Sequence, residues 1–156
     1  MIILGIDPGK SNTAFATVRF GFDPKIAAKR HRVLKLGMLD LGPTTPLEPR
    51  LICMRGKINV LLKKQRPDVV FAERFVYRRG RGRGNSGEYI NLFLGILYEA
   101  CVRMRIKVMF VTSGVHKQWM HRTYGSTAQE RWPQIIEHEA DALGLILYGV
   151  NHYLRG

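Results

Sequence analysis

Residues 2–9 read Ile2-Ile3-Leu4-Gly5-Ile6-Asp7-Pro8-Gly9. An apolar run broken only by glycine and stopped by Asp-Pro-Gly is the pattern of a buried strand running into a turn. Working outward, Thr13 to Phe20 alternates, with Ala14, Ala16 and Val18 against Phe15, Thr17 and Arg19, and Val33 to Leu39 is strand-like again. Three strands with short connections predict an antiparallel meander at the start. The stretch from Lys25 to Lys35 carries Lys25, Lys29, Arg30, Arg32 and Lys35 without an acid, and reads as a basic, solvated connection or hairpin tip.

Leu51, Met54, Ile58, Leu61 and Leu62 recur at helical spacing, predicting an amphipathic helix over Leu47 to Gln65. Arg66-Pro67-Asp68 stops it, and Val69 to Ala72 is a fully apolar strand ending on Glu73. A glycine-punctuated basic loop, Arg78 to Gly84, precedes a long helix over Ser86 to Arg105 that carries Ile90, Phe93, Leu94, Leu97 and Cys101. Val108 to Val111 reads as another buried strand. Thr112 or Ser113 is expected to cap a short helix through Met120, and Thr127 another. Glu137 to Tyr148 is a largely apolar helix. With no repeat and no boundary, the expectation is one α/β domain over residues 1–156 with a mixed sheet.

The 156 residues include 25 Lys and Arg against 12 Asp and Glu, a net charge of +13. At 46% hydrophobic and 24% charged, the chain has the composition of a globular protein, which argues against a disordered basic tail. Such an excess of cations points first to a polyanion, most simply nucleic acid. Two cysteines, Cys53 and Cys101, are too few for a disulfide framework and fall on helical stretches as packing residues. The longest apolar run, Ala142 to Val150, is far short of a membrane span. A cytoplasmic protein without a leader or membrane association is the expectation.

The acids are scarce and oddly placed. Asp7 ends the first apolar strand, Glu73 ends Val-Val-Phe-Ala, and Asp141 sits within Ala-Asp-Ala-Leu-Gly-Leu-Ile-Leu. A carboxylate in such surroundings is costly unless it is paired, hydrogen-bonded or bound to metal. One such acid is explained by a cap or an ion pair; three fit a metal site better. His138 lies three before Asp141 and shares its helix face, and Glu137 and Glu139 flank it as alternative ligands.

Other motifs fall away. Gly5 to Ser11 resembles a phosphate-binding P-loop but has three residues, not four, between its glycines. An actin-like phosphate motif needs two large domains. Zinc is poorly supported, since there is no Cys-x-x-Cys pair, and His116 and His121 diverge on a helix.

Ile-Leu-Gly-Ile-Asp7-Pro-Gly9, Pro67-Asp68-Val-Val-Phe-Ala-Glu73 and His138-x-x-Asp141-Ala-Leu, in this order and at these intervals, resemble the RuvC-type Holliday-junction resolvases of the ribonuclease H-like superfamily. The resemblance spans nearly the whole chain and implies a mixed five-stranded sheet flanked by helices. By position it implies that Asp7, Glu73 and Asp141 are catalytic, metal-binding acids. His138 stands where the family usually has Asp, although some members have His. Lys117 matches a functionally important lysine, and Arg131 lies near the place of a second. Phe75 or Tyr77 falls loosely at the position of an aromatic residue that contacts bases.

Two Mg²⁺ ions per site, replaceable by Mn²⁺, are implied for hydrolysis of the phosphodiester. Asp7 would bridge them, with Glu73 on one side and His138 and Asp141 on the other. Arg78, Arg79, Arg81 and Arg83 would hold phosphates. Paired, symmetric nicks in a four-way junction imply a homodimer, for which the helix from Ser86 offers an interface. Small basic members of the family are common in phages, so a phage source is expected. The alternatives are a nuclease acting more broadly on flaps, forks or RNA–DNA hybrids, and a non-catalytic protein that binds branched DNA.

Overall fold

In the computed structural model, residues 1–21, 31–42, 46–74, 86–112 and 114–154 are described. The opening apolar run forms β1 (Ile2–Pro8), flanked by β2 (Asn12–Phe20) on one side and β4 (Val69–Arg74) on the other. The sheet has the order β3-β2-β1-β4-β5, with β3 at His31–Asp40 and β5 at Lys107–Thr112. β1, β2 and β3 pair antiparallel, as the meander predicts, while β1–β4 and β4–β5 are parallel. Asp68 fixes the register of the first parallel pair: its carboxylate accepts from the Ile2 amide at 2.6 Å, and its own amide donates to the Ile2 carbonyl at 2.8 Å.

Helices cover both faces, so the central strands are apolar on both sides. On one face lie α1 (Leu47–Gln65) and α2 (Ser86–Arg103), whose Met54, Ile58, Phe93 and Leu97 pack on Leu4, Ile6, Val70 and Ala72. The opposite face is covered by α5 (Glu137–Tyr153), whose Leu145, Ile146 and Val150 pack on Ile3, Val18, Val69 and Phe71. Two short helices, α3 (Val115–Tyr124) and α4 (Ala128–Arg131), lean on α5. The expected mixed five-stranded sheet flanked by helices is therefore the fold observed.

Several details differ from the expectation. β3 starts at His31, so Arg32 and Lys35 belong to the strand and not to the connection. Exposed charged residues are tolerated there because β3 is an edge. Val108 to Val111 is only half buried for the same reason, with Val111 alone fully buried. α2 ends at Arg103, where Arg105 takes a left-handed φ of 56°. Thr112 ends β5 and does not take the cap position of α3. Gly114 stands at that position with φ 83°, and the helix runs past Met120 to Tyr124. α5 continues past Tyr148 to Tyr153. Thr127 does cap α4, in a reciprocal capping box with Glu130. Cys53 and Cys101 are free thiols on α1 and α2. Burial pushes the Cys101 thiol up to about 11, in keeping with packing and not nucleophilic chemistry. Among the described residues no helix is long and apolar enough to cross a membrane.

Candidate active site

The site forms where the parallel strands end. Side chains alternate along a strand, so Ile3, Gly5 and Asp7 of β1 share one face, as do Val69, Phe71 and Glu73 of β4. Ile6 pairs with Ala72, so one step further Asp7 and Glu73 stand side by side on the face covered by α5. Gly5 brings α5 down onto β1. A Cβ at Gly5 would stand 2.2 Å from the Ala142 carbonyl oxygen, so only glycine permits this approach. Asp141, the residue before Ala142, is thereby buried beside Asp7, and His138 follows one turn earlier on the same face.

Asp7, His138 and Asp141 each offer a ligand atom within 4.8 Å of one another, the group among the described residues whose spacing suits a metal ion. His138 Nδ1 and Asp7 Oδ2 are in hydrogen-bond contact at 2.8 Å; in the neutral tautomer whose proton is on Nδ1, Nε2 is the nitrogen left to ligate. Burial pushes the Asp7 carboxyl above its ordinary value. The hydrogen bond and charge of His138 oppose this, the charge of Asp141 adds to it and that of Lys117 opposes it, but burial wins. A buried carboxylate, a half-buried one and an exposed imidazole are drawn together as a donor set for a divalent cation, whose charge would relieve the cost of ionising Asp7. The residues fit the metal implied above.

Two neighbours in α3 complete the site. Lys117 Nζ meets Asp141 Oδ2 at 2.5 Å. Burial alone would lower the Lys117 ammonium, but the Asp141 hydrogen bond and the charges of Asp141, Glu73 and Asp7 outweigh it and hold it above the ordinary lysine value. His116 Nδ1 lies 3.6 Å from Glu73 Oε2. Burial, with the Lys117 charge adding, pushes this histidine down to about 4, so it is neutral at ordinary pH.

Sequence reading identifies Asp7, Glu73, Lys117, His138 and Asp141, and the chain folds so that all five converge on this end of the sheet. Glu73 stands slightly apart, outside the close triad and against His116. Glu137 and Glu139, the alternative ligands, do not join the triad. Arg131 is not drawn into the cluster: its guanidinium stacks over the Tyr124 ring at 4.3 Å. Phe75, Tyr77, Arg78, Arg79, Arg81 and Arg83 lie outside the described residues, as do Lys25, Lys29, Arg30 and Ser113.

Sequence reading misses two residues. His116 falls away with zinc, because nothing local links α3 to the end of β4. Arg50 of α1 is buried and donates to the carbonyls of Gly42, at 2.8 Å, and Lys10, pinning the turn that follows Asp7. Its guanidinium also lies 4.8 Å from the Tyr89 ring centroid. An arginine in the first turn of a helix carries no sequence signal for burial.

No protein-family model matches the chain, and no curated protein matches it in sequence. Among solved structures, it is similar to Thermus thermophilus RuvC in complex with a Holliday-junction substrate, at a TM-score of 0.76 and 18% identity over 100% of this chain and 96% of that one. A second structure of Thermus thermophilus RuvC gives 0.74 and 21% over 99% and 96%. The yeast mitochondrial Holliday junction resolvase gives 0.64 and 13% over 98% and 83%. At these identities the likeness establishes a shared fold, the ribonuclease H-like fold that the RuvC resemblance implied.

Proposed function

We propose that this protein is a divalent-metal-dependent endonuclease that resolves four-way DNA junctions by paired, symmetric nicks. The observation that carries the reading is the convergence of Asp7, His138 and Asp141 within ligand distance, beside Lys117, in a chain of net charge +13. The shared fold with resolvases, one of them solved with a Holliday-junction substrate, supports the choice of substrate.

Each side chain has a part in the chemistry. Asp7, Asp141 and the Nε2 of His138 would hold Mg²⁺, or Mn²⁺ in its place, with Glu73 supplying a further carboxylate for a second ion. Bound there, divalent ions supply Lewis-acid stabilisation of the phosphate and an ionised water at neutral pH. His138 keeps the Asp7 carboxylate oriented through its Nδ1–H. Lys117 stays protonated, so its ammonium stabilises charge on the phosphate and orients the attacking water. Burial of the acids excludes bulk water and strengthens each of these interactions.

Arg78, Arg79, Arg81 and Arg83 are proposed to grip phosphates, Phe75 or Tyr77 to stack on an exposed base, and Arg131 to add a further cation. A C2 homodimer would supply two sites for the two strands. The outward face of α2, with Leu92, Tyr98 and Val102 exposed, is its proposed interface. The single domain, the cytoplasmic setting and a phage origin belong to the same reading.

The test is cleavage of matched synthetic DNAs with Mg²⁺: a four-way junction, a fork, a flap and a linear duplex. Paired nicks confined to the junction, abolished by EDTA and reduced more than about hundredfold in Asp7→Asn, are expected. Equal cutting of every branched form would make it a general debranching nuclease. Tight junction binding with no cleavage in Mg²⁺ or Mn²⁺ would leave a binding protein.

A further inference from the structure

His116 is fully buried, and neither ring nitrogen has a hydrogen-bond partner among the described residues. A polar ring left in that state is destabilising, and an apolar residue of similar volume would serve packing better. What the ring does face is a carboxylate. Its Nδ1 lies 3.6 Å from Glu73 Oε2, just beyond hydrogen-bond length. Its other edge is turned to α5, where a Cβ on Gly144 would come within 3.7 Å of Cδ2. The ring is thus held between the end of β4 and the small-residue side of α5. The next residue, Lys117, meets Asp141 from the same turn of α3. Consecutive residues therefore address two different carboxylates of one site.

We propose that His116 is a positioning residue whose Nδ1–H anchors the Glu73 carboxylate and so sets the oxygen that Glu73 presents to a divalent ion. The inference rests on the nuclease reading, in which Glu73 ligates metal. Outer contacts of this kind fix a ligand's rotamer, and their loss weakens metal binding by about 10–100-fold.

The test is Mn²⁺ binding by the full chain without DNA, followed by calorimetry, together with metal-free melting. His116→Leu is expected to bind Mn²⁺ about 10–100-fold more weakly while melting no lower than the parent, since two unpaired buried polar atoms have gone. His116→Asn places an amide donor near the Nδ1 position and should recover most of the affinity. In a Glu73→Gln background, His116→Leu should change the affinity no further. Parental affinity in His116→Leu, or an equal loss with and without Glu73, overturns the proposal. If His116→Leu does not fold, His116→Asn is compared with His116→Gln, whose amide sits at the wrong position; equal affinities then overturn it. Asp7→Asn in the same titration separates the two readings. If it binds as the parent does, the metal centre itself falls. If it loses binding while His116→Leu does not, only the role of His116 falls.

Discussion

In the proposed nuclease, Lys117 is the residue on which metal chemistry and substrate charge would meet. Its ammonium meets a buried acid, Asp141, and the surrounding carboxylates hold it above the ordinary lysine value. A group whose value is raised keeps its charge throughout the neutral and mildly alkaline range and loses it only on passing the raised value. Cleavage should therefore show no alkaline limb from Lys117 across the neutral and mildly alkaline range. Lys117→Ala should lower the single-turnover rate by about 10²–10³-fold while weakening junction binding less than tenfold, as expected of a group used mainly in the transition state. Equal losses in binding and rate would reduce Lys117 to a DNA-holding residue. The acids of this site are legible in the sequence because a carboxylate ending an apolar strand, or inside an apolar helix, costs energy that some partner must offset. His116 is not legible. Its significance depends on Glu73, which reaches it only through the packing of α3 on the end of β4.

At the scale of elements, the site depends on how closely α5 lies on β1. Gly5 admits the backbone of Ala142, and Gly149 admits the Phe71 ring, which an added Cβ would meet at 2.5 Å. The first of these contacts is to a carbonyl oxygen, which cannot swing aside. Gly5→Ala must therefore lift α5, and with it Asp141 and His138, from Asp7. A loss of about 1–3 kcal/mol in urea unfolding is expected, together with weaker Mn²⁺ binding. Gly56→Ala is the control. It lies on an exposed part of α1 with nothing within 4 Å of the added carbon, and should gain about 0.5–1 kcal/mol. Equal responses at the two positions would mean that α5 is not closely seated. Periodicity alone yields the full extent of α1 and places the central strands to within two residues at each end, because those segments bury a regular face. It misjudges β3 and β5 because an edge strand needs neither alternation nor full burial. It also misses Gly114 at the start of α3, since a glycine there satisfies the backbone without any side-chain signature.

For the molecule as a whole, the proposed nuclease reading assigns holding and cutting to different charges. Three of the twelve acids converge at one end of the sheet, while 25 cations are spread over the chain. Cations exposed to solvent act on DNA by releasing counterions, an effect that salt suppresses steeply. The partly buried Lys117–Asp141 pair is screened much less. Junction affinity and cleavage rate should consequently respond to salt in different ways. With six to ten phosphates neutralised, affinity should fall by about 10³–10⁵ between roughly 50 and 200 mM salt, while the rate at saturating protein stays nearly level. Replacing Arg78, Arg79, Arg81 and Arg83 with Gln should flatten the log–log salt slope by about 0.9 for each phosphate no longer neutralised, without changing that saturated rate. A slope unaltered by the four substitutions would move the DNA-holding surface to other cations. A saturated rate that falls with salt as steeply as the affinity would mean that the cations holding the DNA also carry the chemistry, and the division between a salt-sensitive grip and a buried catalytic centre would fail.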